Sequence, residues 1–385
     1  MSGIYIHIPF CKKRCHYCDF FSSTHDEVKR RYTEALCKEA VMRREWLQEP
    51  PETIYIGGGT PSQLSRTEIK LLFDNLRATF DLSKLKEVTF EANPDDITPE
   101  LLTTLSEVGV NRLSMGIQSF NDDLLKKLNR RHNAAEAIAA VRLAKAHGFS
   151  NISIDLMYGL PGQDMADWNR SLDMALELDV PHISSYHLTY EEGTILHKWL
   201  QQGVIREADE ELSLVFFETL ISRLREHGYE QYEISNFAKK GLYSQHNSSY
   251  WKGIPYLGLG ASAHSYNLKT RSWNPSSLDA YFDMVNGDPD QAETEQLDEA
   301  TRYNDYVITT LRTKWGICES YIQNNFNKRI SNHFMREINR HIEKGNIKTG
   351  QGLGVTENEN PDFYTLTAGG IFISDALFED LLWVE

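Results

Sequence analysis

The sequence predicts an α/β protein: an incomplete parallel (β/α)6 barrel of the TIM type, followed by a small C-terminal winged-helix-like α+β domain. Two observations lead there. Strand-like and helix-like runs alternate through residues 1–235, six or so βα units where a full eight-unit barrel takes about 250 residues. After Ser235 that rhythm stops, Gly, Asn, Ser and Tyr become common, and the chain ends on helical patterns around one short strand. The predicted organisation is a barrel over 1–235, a connecting segment over 236–295 and the C-terminal domain over 296–385.

The first strand, Ile4 to Ile8, alternates β-branched and aromatic residues until Pro9. The loop that leaves it carries Cys11, Cys15 and Cys18, three of the five cysteines within eight residues. Three soft thiolates in C-x3-C-x2-C spacing suit a [4Fe-4S] cluster with one iron left open. The competing reading is a zinc site completed by His16, His7 or Asp19, although a structural zinc site normally has a second ligand pair. Cys37 and Cys318 stand alone, and Cys37 falls inside an amphipathic helix, Glu27 to Leu47, that Pro50 and Pro51 end.

Thr53 to Ile56 is a buried strand opening into Gly57-Gly58-Gly59-Thr60, with a helix from Arg66. Glycines there let backbone N–H groups approach an anion closely. Further strands are read at Glu87 to Glu91, Arg112 to Met115, Ile152 to Leu156, His182 to His187 and Tyr232 to Ile234. Helices are read at 99–107, 122–128, 134–146, 164–178 and 210–226. In such barrels chemistry sits at the C-terminal strand ends, which deliver the cysteines, the glycines, Glu91 with Asn93, Gln118, and Asp155 before Gly159-Leu160-Pro161-Gly162. Glu91 and Asp155 are potential acceptors for hydroxyls or an amine, and Arg130 a potential forked donor to a carboxylate.

The cysteine spacing resembles the radical S-adenosylmethionine (SAM) superfamily, whose members bind SAM at the open iron and split it with one electron. The spacing of Glu91, Gln118, Arg130 and Asp155, Tyr-x-His-x-Pro-Phe-Cys at the start and Asp-Leu-Met-Tyr-Gly-Leu-Pro later are similar to one subgroup: the oxygen-independent coproporphyrinogen III oxidases and the HemW heme chaperones. That resemblance implies a SAM pocket lined by Tyr5, Tyr17, Gly58, Gly59, Thr60, Glu91, Gln118, Arg130 and Asp155. It also implies that His246-Asn247-Ser248-Ser249-Tyr250-Trp251 is a heme-binding signature, with His246 the axial ligand, Asn247, Tyr250 and Trp251 beside it, and His264 in reserve. On chemistry alone a histidine among aromatics is as readily a hydrogen-bonded structural residue.

The oxidases usually carry an extension before the first strand and one more cysteine just after the cluster motif; here the strand begins at Ile4 and Asp19-Phe20 takes that place. The expectation is therefore a heme chaperone, with oxidative decarboxylation of coproporphyrinogen III second and a zinc-stabilised interaction protein third. Lys12, Lys13 and Arg14 form a basic collar for an acidic electron donor such as a flavodoxin, and the heme recipient is expected to be a respiratory protein. A net charge of −15 excludes non-specific nucleic-acid binding. No apolar run of about 18 residues is present, and the odd, clustered cysteines do not form a disulfide framework, so a cytoplasmic protein is expected.

At the C-terminal end, Glu299 to Leu311, Cys318 to Phe326 and His333 to Lys344 read as helices, Tyr364 to Thr367 as a strand and Ile371 to Val384 as a last helix. Gly350 to Asn360 reads as a wing, and without a basic stripe the unit is expected to pack or contact partners rather than bind DNA.

Overall fold

The structure, a computed structural model, describes residues 2–287, 292–350 and 362–384. Strands β1 (Gly3–Ile8), β2 (Thr53–Gly58), β3 (Glu87–Ala92), β4 (Arg112–Gln118), β5 (Ile152–Tyr158) and β6 (His182–His187) lie side by side in chain order and all parallel. Helices return the chain between them. This is the expected partial barrel: the sheet stays open, with further strands on both flanks.

Period-two alternation explains its section. Ile54, Ile56, Val88, Phe90, Leu113 and Met115 point outward and are buried beneath the helices. The opposite positions, such as Thr89 and Glu91 of β3 or Arg112 and Ser114 of β4, are polar and line the concave side. A barrel interior built of polar groups is made to receive something polar.

Several sequence expectations change. The run at Tyr232 is β7 (Tyr229–Glu233), which forms an antiparallel hairpin with β8 (Asn236–Lys239), and β8 pairs antiparallel with β6 rather than continuing the βα series. Residues 236–295 are no mere connector. β9 (Tyr256–Leu259) pairs parallel with β1, and β10 (His264–Tyr266), β11 (Thr270–Trp273) and β12 (Glu293–Gln296) extend the same sheet. Leu257 of β9 and, from the helix Leu278–Val285, Tyr281 and Phe282 join the barrel's core. The first long helix is shorter than its amphipathic pattern, Lys29–Met42, and helix Ile195–Gln201 was not read from the sequence.

The link between the first helix and this added sheet is a buried carboxylate. Glu39 accepts hydrogen bonds from Gly260 N–H (2.8 Å), Asn274 Nδ2 (2.8 Å) and Tyr281 Oη (2.8 Å), and pairs with Arg43 at 3.2 Å. Glu39→Leu strands those donors in the core and is expected to destabilise the fold by about 3–5 kcal/mol, read by denaturant unfolding. A loss below 1 kcal/mol would show that this hub holds nothing together.

Residues 303–381 have their own core, with Tyr303, Phe334, Ile338 and Leu377 at its centre. A three-stranded antiparallel sheet, in the order β13 (Ile317–Cys318), β15 (Phe363–Leu366), β14 (Ile347–Thr349), packs on helices Glu299–Leu311, Glu319–Asn325 and Lys328–Glu343. The last helix is two, Ala368–Phe372 and Ser374–Leu381. Apart from Gly350, the wing lies outside the described residues. Among the described residues no helix is long and apolar enough to cross a membrane.

Candidate functional site

Cys11, Cys15 and Cys18 leave the C-terminal end of β1 as free, half-buried thiols. Their loop is held on two sides. Cys11 N–H donates to Ser23 O (2.9 Å), and His16 N–H to Leu128 O (3.1 Å). The Asn129 side-chain amide donates to Arg14 O at 2.7 Å, and Leu196 N–H to His16 O at 3.0 Å. Of the two histidines considered for zinc, His7 has both ring nitrogens engaged, by Tyr5 Oη and Phe21 O, while His16 holds Lys127 O through Nδ1 at 3.0 Å and packs edge-on against Trp199. Burial pushes the Cys18 thiol up to about 11 and raises Cys11 as well, so deprotonation needs a bound metal to drive it.

The cation nearest the thiols is one that the basic collar does not contain. Arg130 Nη1 donates to Cys15 Sγ at 3.3 Å, and Nη2 to Asn93 Oδ1 at 2.6 Å and to Gly116 O. Both ends of its fork are thus used within the protein, and the buried Nε is the one guanidinium nitrogen without a partner. Lys12, by contrast, pairs with Asp96 at 3.3 Å. Thr60 Oγ1 approaches Cys11 Sγ at 3.3 Å and accepts from Asn93 Nδ2 at 3.4 Å. Tyr17 lies against the same thiols and Arg130, which, after burial itself, set its ionisation.

Next to the thiols is the glycine turn. A Cβ on Gly59 would stand 2.8 Å from the Pro9 backbone, and Gly58 takes φ +108° with its would-be Cβ 2.6 Å from the His7 ring. Only glycine permits that approach. Glu91 accepts from Gly58 N–H (3.1 Å) and Tyr55 Oη (2.6 Å). Gln118 adopts φ +70° at a bulge in the β4–β5 register, a strained conformation that re-aims its amide toward Gly116 and Arg130. Asp155 comes from the neighbouring β5. Three thiols as a soft donor set and an unpaired buried Arg130 N–H beside them fit an iron-sulfur cluster with an anionic ligand next to it.

Burial, reinforced by mutual repulsion, raises Glu91 from 4.5 to about 7, and burial raises Asp155 from 3.8 to about 6. A carboxyl whose folded pKa is raised contributes fully below its unfolded pKa and loses that contribution as pH climbs through the folded one. Between pH 4.5 and 8 the ligand-free protein should therefore lose about 3 kcal/mol relative to its Glu91→Gln variant, measured by parallel unfolding curves. A pH-independent difference would refute the shift.

The predicted heme signature sits elsewhere. His246 belongs to helix Gln245–Trp251, whose Gln245 and His246 N–H groups dock on the carboxylate of Glu87, the first residue of β3. Its ring is buried, 2.8 Å from Thr53 Oγ1 through Nδ1 and 2.8 Å from Tyr250 Oη through Nε2, and stacks on Tyr55. Thr53 and Glu87 begin their strands, so His246 plugs the N-terminal end of the barrel, opposite the cysteines. With both nitrogens engaged in this fold, the ring would have to give up the Tyr250 or the Thr53 hydrogen bond to meet an iron. Trp251 packs near Tyr232, whereas Tyr250 reaches two cavities, and His264 is exposed and stacked on Trp273. Asn247 serves the same helix, its N–H capped by Ser244.

Sequence reading passed over Tyr55, Arg112 and Asp96. Arg112 is buried on the concave side, and its charge reaches Glu91, Asp155 and His246. Asp96 gathers Lys12, Ser62, Gln63 and Arg131, tying the glycine turn to the cysteine loop. The signal available for Tyr55 and Arg112 was strand alternation, which places both on the inward face; none marked Asp96.

The Radical SAM superfamily model matches residues 5–175. A protein of Bacillus subtilis named heme chaperone HemW is 38% identical over 360 residues, covering 91% of this chain and 94% of that one. The Escherichia coli protein of the same name is 38% identical over 68% of this chain and 69% of its own length, and radical S-adenosyl methionine domain-containing protein 1 of Danio rerio is 36% identical over 68% of this chain and 60% of its own. In fold, the chain is similar to the E. coli coproporphyrinogen III oxidase HemN, a radical SAM enzyme, with a TM-score of 0.82 at 23% identity over 99% of this chain and 89% of that one.

Proposed function

The chain belongs to the HemW family of radical SAM proteins, and on that premise we propose that it is a heme chaperone, which binds heme and passes it to a heme-requiring, respiratory target. The observation that carries this reading is the 38% identity to a heme chaperone sustained over 91% of the chain. In the proposal Cys11, Cys15 and Cys18 hold a [4Fe-4S] cluster, and Tyr5, Tyr17, Gly58, Gly59, Thr60, Glu91, Gln118, Arg130 and Asp155 hold SAM.

When bound, the cluster supplies an electron to the SAM sulfonium. The chain's own work is to hold and position. Gly58 and Gly59 let the turn pack onto His7 of the first strand and the Pro9 that follows it and so set the wall for the methionine end of SAM, and Glu91 accepts from its polar hydrogens. Arg130 fixes Cys15 and carries its charge beside the site. Tyr17 and the neighbouring walls exclude water.

Lys13 and Arg14 are exposed beside the cysteines, while Lys12 is tied to Asp96. They support docking of an acidic donor such as a flavodoxin in a reducing cytoplasm. Reversing both charges is expected to slow cluster reduction by flavodoxin roughly tenfold at low salt and leave reduction by dithionite unchanged. Equal slowing by the two reductants would dismiss the collar.

The deciding experiment is an anaerobic incubation of cluster-loaded protein with SAM and dithionite, once with coproporphyrinogen III and once with hemin. Hemin binding without protoporphyrinogen IX formation is the expected outcome. Turnover of coproporphyrinogen III would make the chain a decarboxylating oxidase instead.

A further inference from the structure

The two edges of the His246 ring are not equally guarded. The Nδ1 edge faces the starts of β1 and β2, where it lies 2.8 Å from Oγ1 of the buried Thr53. A Cβ on Gly3 would stand 2.9 Å from that hydroxyl and 3.2 Å from both Cε1 and Nδ1 of the ring, so the two strands leave no space on this side. Tyr55 closes one face of the ring by stacking on it at 5.2 Å.

The Nε2 edge is covered by a single side chain. Tyr250, one turn further along the same helix, sets its Oη 2.8 Å from Nε2 and its ring edge-on at 5.0 Å. Beyond it lies open space. Tyr250 borders a cavity of about 280 Å3 that also reaches Tyr5, Tyr256 and Phe20, and a cleft of about 480 Å3 between strands β9–β11 and the helices Glu299–Leu311 and Glu319–Asn325. A phenol released from His246 has room to move into, whereas Thr53 is fixed in β2.

The hydrogen bonds also distinguish the two nitrogens. Among the described residues Tyr250 Oη has no other partner than His246, and a phenol is a stronger acid than an alcohol. Tyr250 therefore donates to Nε2, and Nδ1–H donates to Thr53 Oγ1. A neutral imidazole held through one N–H on an oxygen, with its lone pair on the other nitrogen, is the form in which histidine binds metals.

We propose that Tyr250 is a latch on the heme ligand: its hydroxyl caps Nε2 of His246 in the heme-free chain and swings into the adjoining cavity when the heme iron takes that nitrogen, while Thr53 keeps Nδ1 and so orients the ring. The exchange replaces one O–H···N hydrogen bond by an iron–nitrogen bond and moves no proton or electron, since Nε2 carries no hydrogen. The inference rests on the heme-chaperone reading and on the axial role that the resemblance gives His246. It adds which nitrogen is used, from which side the heme arrives and what holds the site shut. A site open for only part of the time binds more weakly by that fraction, and a buried hydrogen bond of this kind sets the fraction at roughly one in three to one in ten.

The test is a hemin titration of the cluster-loaded protein at the Soret band, with association rates by stopped flow and with far-UV circular dichroism and iron content as checks on the fold. Tyr250→Phe removes only the hydroxyl and is expected to bind hemin roughly threefold to tenfold more tightly, the gain appearing in the association rate. Thr53→Val keeps the shape but frees Nδ1, and is expected to weaken binding roughly tenfold or more. Unchanged or weaker binding in Tyr250→Phe would overturn the latch, and so would tighter binding in Thr53→Val, which would make Thr53 the group that yields. His246→Ala reports on the premise: a wild-type Soret band and affinity there would remove the axial role itself. If the wild-type chain binds no hemin, the chaperone reading falls.

Discussion

Replacing Cys11, Cys15 or Cys18 singly by serine is expected to leave the reconstituted protein without a stable cluster, with bound iron and the broad charge-transfer absorption falling roughly tenfold or more. The three thiols come from one loop and no fourth cysteine is near, since Cys37 and Cys318 belong to other parts of the fold. With three anchors, the loss of one leaves two, too few to hold an iron cube against hydrolysis. Cys37→Ser and Cys318→Ser should match the wild type. If a serine at any of the three loop positions assembled full cluster, or if Cys37→Ser abolished it, the site would have to be redrawn.

The second large effect is expected at Arg130. Its Nη groups hold Cys15 Sγ, Asn93 and Gly116 O, and its Nε–H is the buried donor still lacking an acceptor. Arg130→Met leaves those acceptors without their cation and removes the free donor, a change of about 3 kcal/mol, or roughly a hundredfold in SAM affinity. Arg130→Lys restores the charge but neither the planar reach nor the Nε–H, so it should recover little. The measurement is SAM binding to cluster-loaded protein by equilibrium dialysis, with iron content as the control. Wild-type affinity in Arg130→Met would remove Arg130 from the pocket, and full recovery by lysine would reduce its part to charge alone.

Arg130 also shows where sequence reading reaches its limit. As a match to a spacing, it was expected to grip a carboxylate with its fork; in the folded chain that fork grips the cysteine loop. For His246 the motif is legible in the sequence but its placement is not. Its motif drew attention to a heme ligand, yet helix Gln245–Trp251 folds back onto the N-terminal strand ends, where Thr53 and Tyr250 saturate the ring. Burial lowers the imidazole to about 3, with Arg112 adding to the effect, so it stays neutral there at any ordinary pH. No periodicity in the sequence says which end of a barrel a later helix will plug.

What the sequence determined by itself was local: a loop of three closely spaced thiols, glycines that no other residue could replace at their approach distances, and alternating strands returned by helices. These are short-range properties, because period, spacing and steric size act between neighbours in the chain. The tertiary structure alone decided the rest. It drew residues 236–295 into the barrel's sheet, set Arg130 against Cys15, and opened a tyrosine-lined cleft between strands β9–β11 and the helical unit that begins at Glu299. Those contacts join groups distant in the chain, and they exist because an uncovered sheet edge and an unpaired buried charge are costly enough to select the packing that satisfies them.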